Sequence, residues 1–240
     1  MRKTVLITGA SRGIGKAIAK AFASSGYELY LVCHKNKKML EELAQSFQSE
    51  FGTISHLYTG DISSYEFVAS VFDEISQLDV LINNAGISNI GLLSDLDVNN
   101  WHQIIDTNLS SAFYTSKLAI PLMLKNKQGK IINISSVWGE SGASMEVAYS
   151  VSKGGMNSLT KALSKELAPS NIQVNAIACG AIDTDMNRCF SKEDIDALIE
   201  EIPADRMGKP EEIGEIALNL ANAPSYLTGQ IISVSGGWGF

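Results

Sequence analysis

Apolar residues recur along the chain in two alternating rhythms. Short runs rich in aliphatic and β-branched residues lie at Thr4–Thr8, Glu28–Cys33, Ile54–Thr59, Val80–Ile82, Lys130–Ile134, Gln173–Ile177 and Ile231–Val234. Between them run stretches of helical period, from about Ile14 to Ser24, Lys38 to Phe51, Tyr65 to Ile75, Val98 to Lys125 and Val147 to Leu167. The alternation predicts a βαβα order with seven strands. Val5-Leu6-Ile7, Val80-Leu81-Ile82 and Ile131-Ile132 are continuously apolar, as strands are when helices cover both faces of a parallel sheet. The expectation is an α/β fold, a single-domain Rossmann-like doubly wound parallel seven-stranded sheet with helices on both faces, occupying residues 1–240. Residues 182–210 break the rhythm, being polar and longer than an ordinary connection. Such an insertion at the carboxyl end of a sheet reads as a substrate lid.

Composition narrows the partners more than the fold. The chain carries 19 basic and 26 acidic residues, a net charge of −7, so it lacks the basic face that displaces counterions from nucleic acid or an anionic membrane. Cys33, Cys179 and Cys189 are an odd number without metal-ligand spacing, which reads as unpaired thiols in a reducing compartment and as no metal site. No segment reaches about 18 consecutive apolar residues, and no apolar signal stretch precedes the first strand. A cytoplasmic location is expected.

Thr8-Gly9-Ala10-Ser11-Arg12-Gly13-Ile14-Gly15 follows the first strand and opens directly into a helix. Glycines remove Cβ atoms where backbone must approach a pyrophosphate, and the helix start offers free N–H groups and the positive dipole end. The turn therefore reads as a dinucleotide site, with Gly9, Ser11, Arg12, Gly13, Ile14 and Gly15 as candidates. Where NAD-binding sheets carry an acid at the end of the second strand, this chain reads Val32-Cys33-His34-Lys35. His34, Lys35 and Arg12 would attract a 2′-phosphate, so the expected cofactor is NADP(H). Gly9-Ala10-Ser11-Arg12-Gly13 also matches the Gly-x-Ser-x-Gly elbow of hydrolases. That reading fails because such a hydrolase orders its triad serine, acid, then a late histidine, with the elbow well inside the sheet, whereas here the turn follows the first strand and His34, His56 and His102 all lie in the first half.

Tyr149 and Lys153 stand four residues apart, on one helical face. A cation beside a phenol favours the phenolate and fits the phenol for proton exchange with a carbonyl or alcohol. Ser135 and Ser136 come fourteen and thirteen residues before Tyr149 at the carboxyl end of a strand, where ligands sit in open α/β sheets. A hydroxyl there can bond the substrate oxygen as charge develops on it, and Ser136 is the preferred candidate.

With Asp61-Ile62, Asn83-Asn84-Ala85-Gly86 and Asn108 in the same order and spacing, the chain resembles the short-chain dehydrogenase/reductase family over essentially its whole length. The resemblance implies that Tyr149 is the acid/base, that Lys153 lowers its pKa and binds the nicotinamide ribose, that Ser136 orients the carbonyl, and that Asn108 holds a water in a proton relay. It also implies that Asp61 and Ile62 contact adenine, that Asn84, Ala85 and Gly86 line the cofactor cleft, and that Gly180, Ile182 and Thr184 lie near the carboxamide.

Within the family the glycine turn, Ile202-Pro203 through Pro210-Glu211-Glu212-Ile213, and Tyr226-Leu227-Thr228-Gly229-Gln230 look most like bacterial 3-oxoacyl-acyl-carrier-protein reductases, which implies a homotetramer and a fatty-acid biosynthetic ketone. Ala178-Cys179-Gly180 replaces the usual Ala-Pro-Gly, and Ser170 stands where many carrier-protein reductases have an arginine. Ser135-Ser136-Val137-Trp138-Gly139 and Gly142 through Val147 are similar to a subgroup that acts on an aminopentanone group of elongation factor P. There Glu146 would suit a cationic amine. The expected reaction is thus NADPH-dependent reduction of a ketone to a secondary alcohol, on acyl-carrier protein or alternatively on elongation factor P. The rival of another class is a non-catalytic NADP-binding sensor.

Overall fold

The computed structural model describes residues 2–185 and 191–239. One parallel sheet takes all seven strands: β1 (Thr4–Thr8), β2 (Glu28–Cys33), β3 (Ser55–Thr59), β4 (Val80–Asn83), β5 (Gly129–Ser136), β6 (Ile172–Cys179) and β7 (Ile231–Val234). Their spatial order is β3-β2-β1-β4-β5-β6-β7. The order reverses between β1 and β4, which opens a crevice at the carboxyl ends of those two strands.

Helices α1 (Gly13–Ser24), α2 (Lys37–Phe51) and α3 (Tyr65–Asp73) follow the first three strands. Strand residues alternate between two cores, as period-two geometry requires. Val5, Ile7, Val80 and Ile82 pack in one layer with Phe22 and Phe47, whereas Leu6, Leu81 and Ile131 pack in the other with Phe72 and Met123. Both layers are apolar, and that is why these strands read as unbroken hydrophobic runs.

The structure differs from the sequence expectation in three places. The long helix expected from Val98 to Lys125 is two helices, α4 (Val98–Ile105) and α5 (Ser111–Asn126), separated by a π-turn at Asp106–Ser110. Asn108 in that turn is fully buried and bonds out of the helix, its side chain accepting from the Ile87 N–H at 2.8 Å and donating to the Ile87 carbonyl at 2.9 Å. Strands β5 and β6 continue two residues past the expected ends, because Ser135–Ala178 and Ser136–Cys179 still pair. In β5 the polar Ser135 and Ser136 hide strand character from hydrophobic patterning.

The third difference lies near the carboxyl terminus. The short α6 (Trp138–Ser141) and the long α7 (Val147–Leu167) follow β5. Residues 182–210 contain a helix, α8 (Lys192–Glu200), begun by a reciprocal Ser191–Asp194 capping box. Residues 186–190 of the expected lid, including Cys189, fall outside the described residues. Helix α9 (Pro210–Asn222) starts with proline at its first turn and lies against α1 so closely that a Cβ on Gly214 would sit 2.8 Å from the Ala17 carbonyl oxygen. This helix is not among the sequence expectations, although Ile213, Ala217, Leu220 and Ala221 are buried at helical spacing.

Candidate active site

The glycine turn sits at the crevice between β1 and β4. Gly9 has φ +67°, and a Cβ there would lie 2.9 Å from Asn84 Nδ2. Asn84 braces the turn, its amide donating to the Thr8 and Gly9 carbonyls at 2.9 and 3.2 Å, while Thr8 Oγ1 accepts from the N–H groups of Asn84 and Ala85. Its side chain therefore supports the crevice from behind. Helix α1 has no side-chain cap and no acidic residue in its first turn, so its leading N–H groups and positive end face the crevice uncompensated. That arrangement fits a pyrophosphate. Ser11 is buried, and Thr184 lies over the turn, 3.4 Å from where a Gly13 Cβ would be.

His34 and Lys35 are exposed beyond the end of β2. Opposite them, Asp61 accepts from the Ser63 N–H and hydroxyl at 2.9 and 2.7 Å. Partial burial opposes its ionisation, but the Ser63 bonds and the charges of His34 and Lys35 outweigh it and hold the carboxyl below its usual value. Ile62 is buried beside it. Arg12 lies 3.8 Å from Asp185. Ile182 forms a parallel bridge with Gly208, which pins the base of the following segment.

Ser136, Tyr149 and Lys153 converge at the carboxyl end of β5. The Ser136 hydroxyl bonds Tyr149 and also accepts the Trp138 N–H at 3.2 Å. Burial pushes the Tyr149 phenol up and the Ser136 bond opposes that rise. Lys153 is buried, its Nζ 5.5 Å from the centre of the Tyr149 ring and donating to the Ile134 carbonyl at 2.8 Å. Burial brings its pKa down to about 8. A Cβ on Gly86 would be 3.6 Å from that Nζ and 3.5 Å from Asn108 Oδ1, so the cleft floor is closely fitted there. Gly180 is held against Ser235, where a Cβ would come within 2.7 Å.

Further residues surround these three. Cys179 faces the Lys153 and Tyr149 groups, and burial pushes its thiol up to about 12, which leaves it protonated and unreactive. Ser152 accepts from Asn108 Nδ2 at 3.0 Å, completing the bonds that hold the π-turn. Ser88 donates to Glu146, whose charge also bears on Tyr149. Trp238 stacks edge-on to Trp138 at 4.6 Å. Of these, Ser88, Ser152 and Trp238 carry no signal in the sequence, since each meets its partner only across the fold. Among the described residues no cluster of His, Cys, Asp or Glu could hold a metal, and no helix is long and apolar enough to cross a membrane.

Comparison with known proteins places this geometry. The short chain dehydrogenase family model matches residues 3–195. Uncharacterized oxidoreductase YmfI of Bacillus subtilis is 41% identical over 240 residues, 99% of each chain. The 3-oxoacyl-[acyl-carrier-protein] reductase FabG of Aquifex aeolicus is 37% identical over 98% of this chain and 96% of its own. Among solved structures, the 3-oxoacyl-[acyl-carrier protein] reductase of Brucella melitensis matches with a TM-score of 0.93 at 31% identity, over 99% of this chain and 91% of that one. This chain belongs to the short-chain dehydrogenase family, nicotinamide-dependent oxidoreductases that act on carbonyl and hydroxyl groups.

Proposed function

We propose that the protein reduces a ketone to a secondary alcohol with NADPH, the ketone being a 3-oxoacyl thioester on acyl-carrier protein. The observation that carries the reaction is the convergence of Ser136, Tyr149 and Lys153 beside the glycine turn. A bound nicotinamide would supply the hydride. Tyr149 donates its phenolic proton to the oxygen that becomes the alkoxide. Ser136 bonds the same oxygen, since the Trp138 N–H occupies one of its lone pairs and leaves its own proton to give. Lys153 stabilises the phenolate left behind. Asn108 holds the water of a proton relay, its side chain fixed in place by the Ile87 N–H and carbonyl and by Ser152. The chain acts as a homotetramer, which the exposed Phe113, Val147 and Val151 support by offering apolar surface.

The relatives named 3-oxoacyl-acyl-carrier-protein reductase support the thioester. One observation favours a second substrate. Glu146 stands beside Tyr149, three residues ahead on the chain, and a carboxylate there favours a cationic ketone such as an aminopentanone group on elongation factor P. The deciding experiment follows NADPH consumption with acetoacetyl-CoA and, in parallel, with a small amino-ketone. Turnover of the thioester alone keeps the first reading, turnover of the amino-ketone alone replaces it with the second, and turnover of neither with intact NADPH binding leaves a sensor.

NADPH is favoured over NADH by the positive groups His34 and Lys35 at the end of β2. Lys35→Glu is expected to cut the NADPH/NADH preference in kcat/KM by about tenfold or more, because a carboxylate repels the 2′-phosphate and accepts the ribose hydroxyl instead. An unchanged ratio would move the phosphate site elsewhere.

The pH profile follows from Lys153. Its charge is present below about pH 8 and lost above it. Ketone reduction is therefore expected to hold level below that point and to fall about tenfold per unit above it, measured as kcat at saturating NADPH. The reverse oxidation needs Tyr149 as base and should instead rise with pH.

A further inference from the structure

The α7 face that meets β5 is polar where a helix-on-sheet contact is ordinarily apolar. Ser152, Lys153, Asn157 and Thr160 are all buried there. Each is tied to a different point: Ser152 to Asn108, Lys153 to the Ile134 carbonyl, Asn157 to Ser135 and Thr160 to Asn133. Apolar side chains can slide past one another at little cost, whereas a buried hydrogen bond fixes distance and direction.

The Ser135–Asn157 pair sits closest to the chemistry. The Ser135 hydroxyl donates to Asn157 Oδ1 at 2.7 Å and lies 3.4 Å from the main-chain carbonyl of Lys153. From the other side, Gly139 on α6 presses on the same spot. A Cβ on it would meet the Lys153 carbonyl carbon at 2.7 Å and Asn157 Nδ2 at 3.0 Å. Ser136 lies between these two contacts in the chain. The residue that orients the carbonyl is thereby held, before and after, onto the turn of α7 that carries Lys153.

We propose that Ser135 and Asn157 are positioning residues that clasp the Ser136 loop to α7 and set the Tyr149–Lys153–Ser136 geometry. The inference rests on the carbonyl-reductase reading given above. Neither residue touches the reacting atoms, so their effect passes through Lys153 and Ser136. A misplacement of about 1 Å at such a centre costs on the order of 10²-fold in rate. A loosened clasp also admits water to Lys153, which relieves the burial that depresses its pKa.

The test compares Ser135→Ala, Asn157→Ala and the double variant with the wild-type chain. Each single variant is expected to lower kcat about tenfold, to leave the NADPH dissociation constant within about twofold, and to move the alkaline limb of the kcat profile upward by about half a pH unit or more. The double variant should lose little more than either single one, because one bond is being removed. Ser135→Thr, which keeps the hydroxyl, should restore the wild-type profile. Gly139→Ala keeps both side chains, but its Cβ presses on the Lys153 main chain and on Asn157 Nδ2, and it should show the same upward shift. Titration of Lys153 by NMR, with isotope-labelled lysine and no cofactor, reads that shift without turnover. If the wild type turns over no ketone, the reductase reading fails, and the NMR titration still decides the clasp. Unmoved titration in both single variants overturns the proposal. Additive losses in the double variant, or variants that no longer bind NADPH, assign the pair to packing alone and overturn it equally.

Discussion

Tyr149→Phe is expected to lower ketone turnover about 10³-fold while NADPH still binds with an affinity within about twofold of wild type. The variant removes one oxygen and keeps the ring. The ring is what packs above Lys153, at 5.5 Å from its Nζ, so the fold of α7 has no reason to change. What disappears is the proton donor, and with it the bond to Ser136. Ser136 and Lys153 remain to polarise the carbonyl, which is why some rate over the uncatalysed reaction should survive. The measurement is single-turnover oxidation of bound NADPH, paired with a direct binding titration. A variant that retains more than about a tenth of the wild-type rate would place the acid elsewhere, and a variant that loses NADPH binding as well would mean that the ring, not the hydroxyl, matters.

Much of this was readable from spacing. The alternating runs gave the seven strands, and the turn Thr8–Gly15 is a local motif whose chemistry follows from its own backbone. Tyr149 and Lys153 declare themselves because a helix brings positions four apart together. The π-turn was not readable, since Val98 to Lys125 has helical period throughout and the break is imposed by Asn108 bonding to Ile87, twenty-one residues away. The contact of Ser135 with Asn157 was equally silent: a serine at the end of a strand and a polar residue on a helix meet only once β5 and α7 are packed. Glu146 reads from the sequence as suiting a cationic amine, and its bond with Ser88 and its charge on Tyr149 set it beside the site. Local motifs are written in one stretch of chain, whereas the residues that hold them in register are written in two.

Gly15→Ala should nearly abolish cofactor binding. The glycine opens α1 directly beneath the turn, and a Cβ on it would lie 2.2 Å from the Gly9 carbonyl oxygen and 2.6 Å from Asn84 Nδ2. Neither neighbour is a flexible tip. The Gly9 oxygen is main chain, and Asn84 is held by the Thr8 and Gly9 carbonyls it bonds. Room can be made only by moving α1 away from β1, which breaks those bonds and turns the leading N–H groups of the helix away from the phosphates. The NADPH dissociation constant is expected to rise at least about 100-fold, near 3 kcal/mol. Overpacking of this kind costs on the order of 1–3 kcal/mol, so the melting temperature should fall by roughly 3–10 °C without cofactor and lose its rise on adding NADPH. Gly91→Ala is the control, since a Cβ there meets only the Asn89 side chain at 3.9 Å, and it should alter neither quantity. If Gly15→Ala bound NADPH as the wild type does, the close approach at this turn would not be what shapes the pyrophosphate site, and the helix dipole would have to carry the binding from some other geometry.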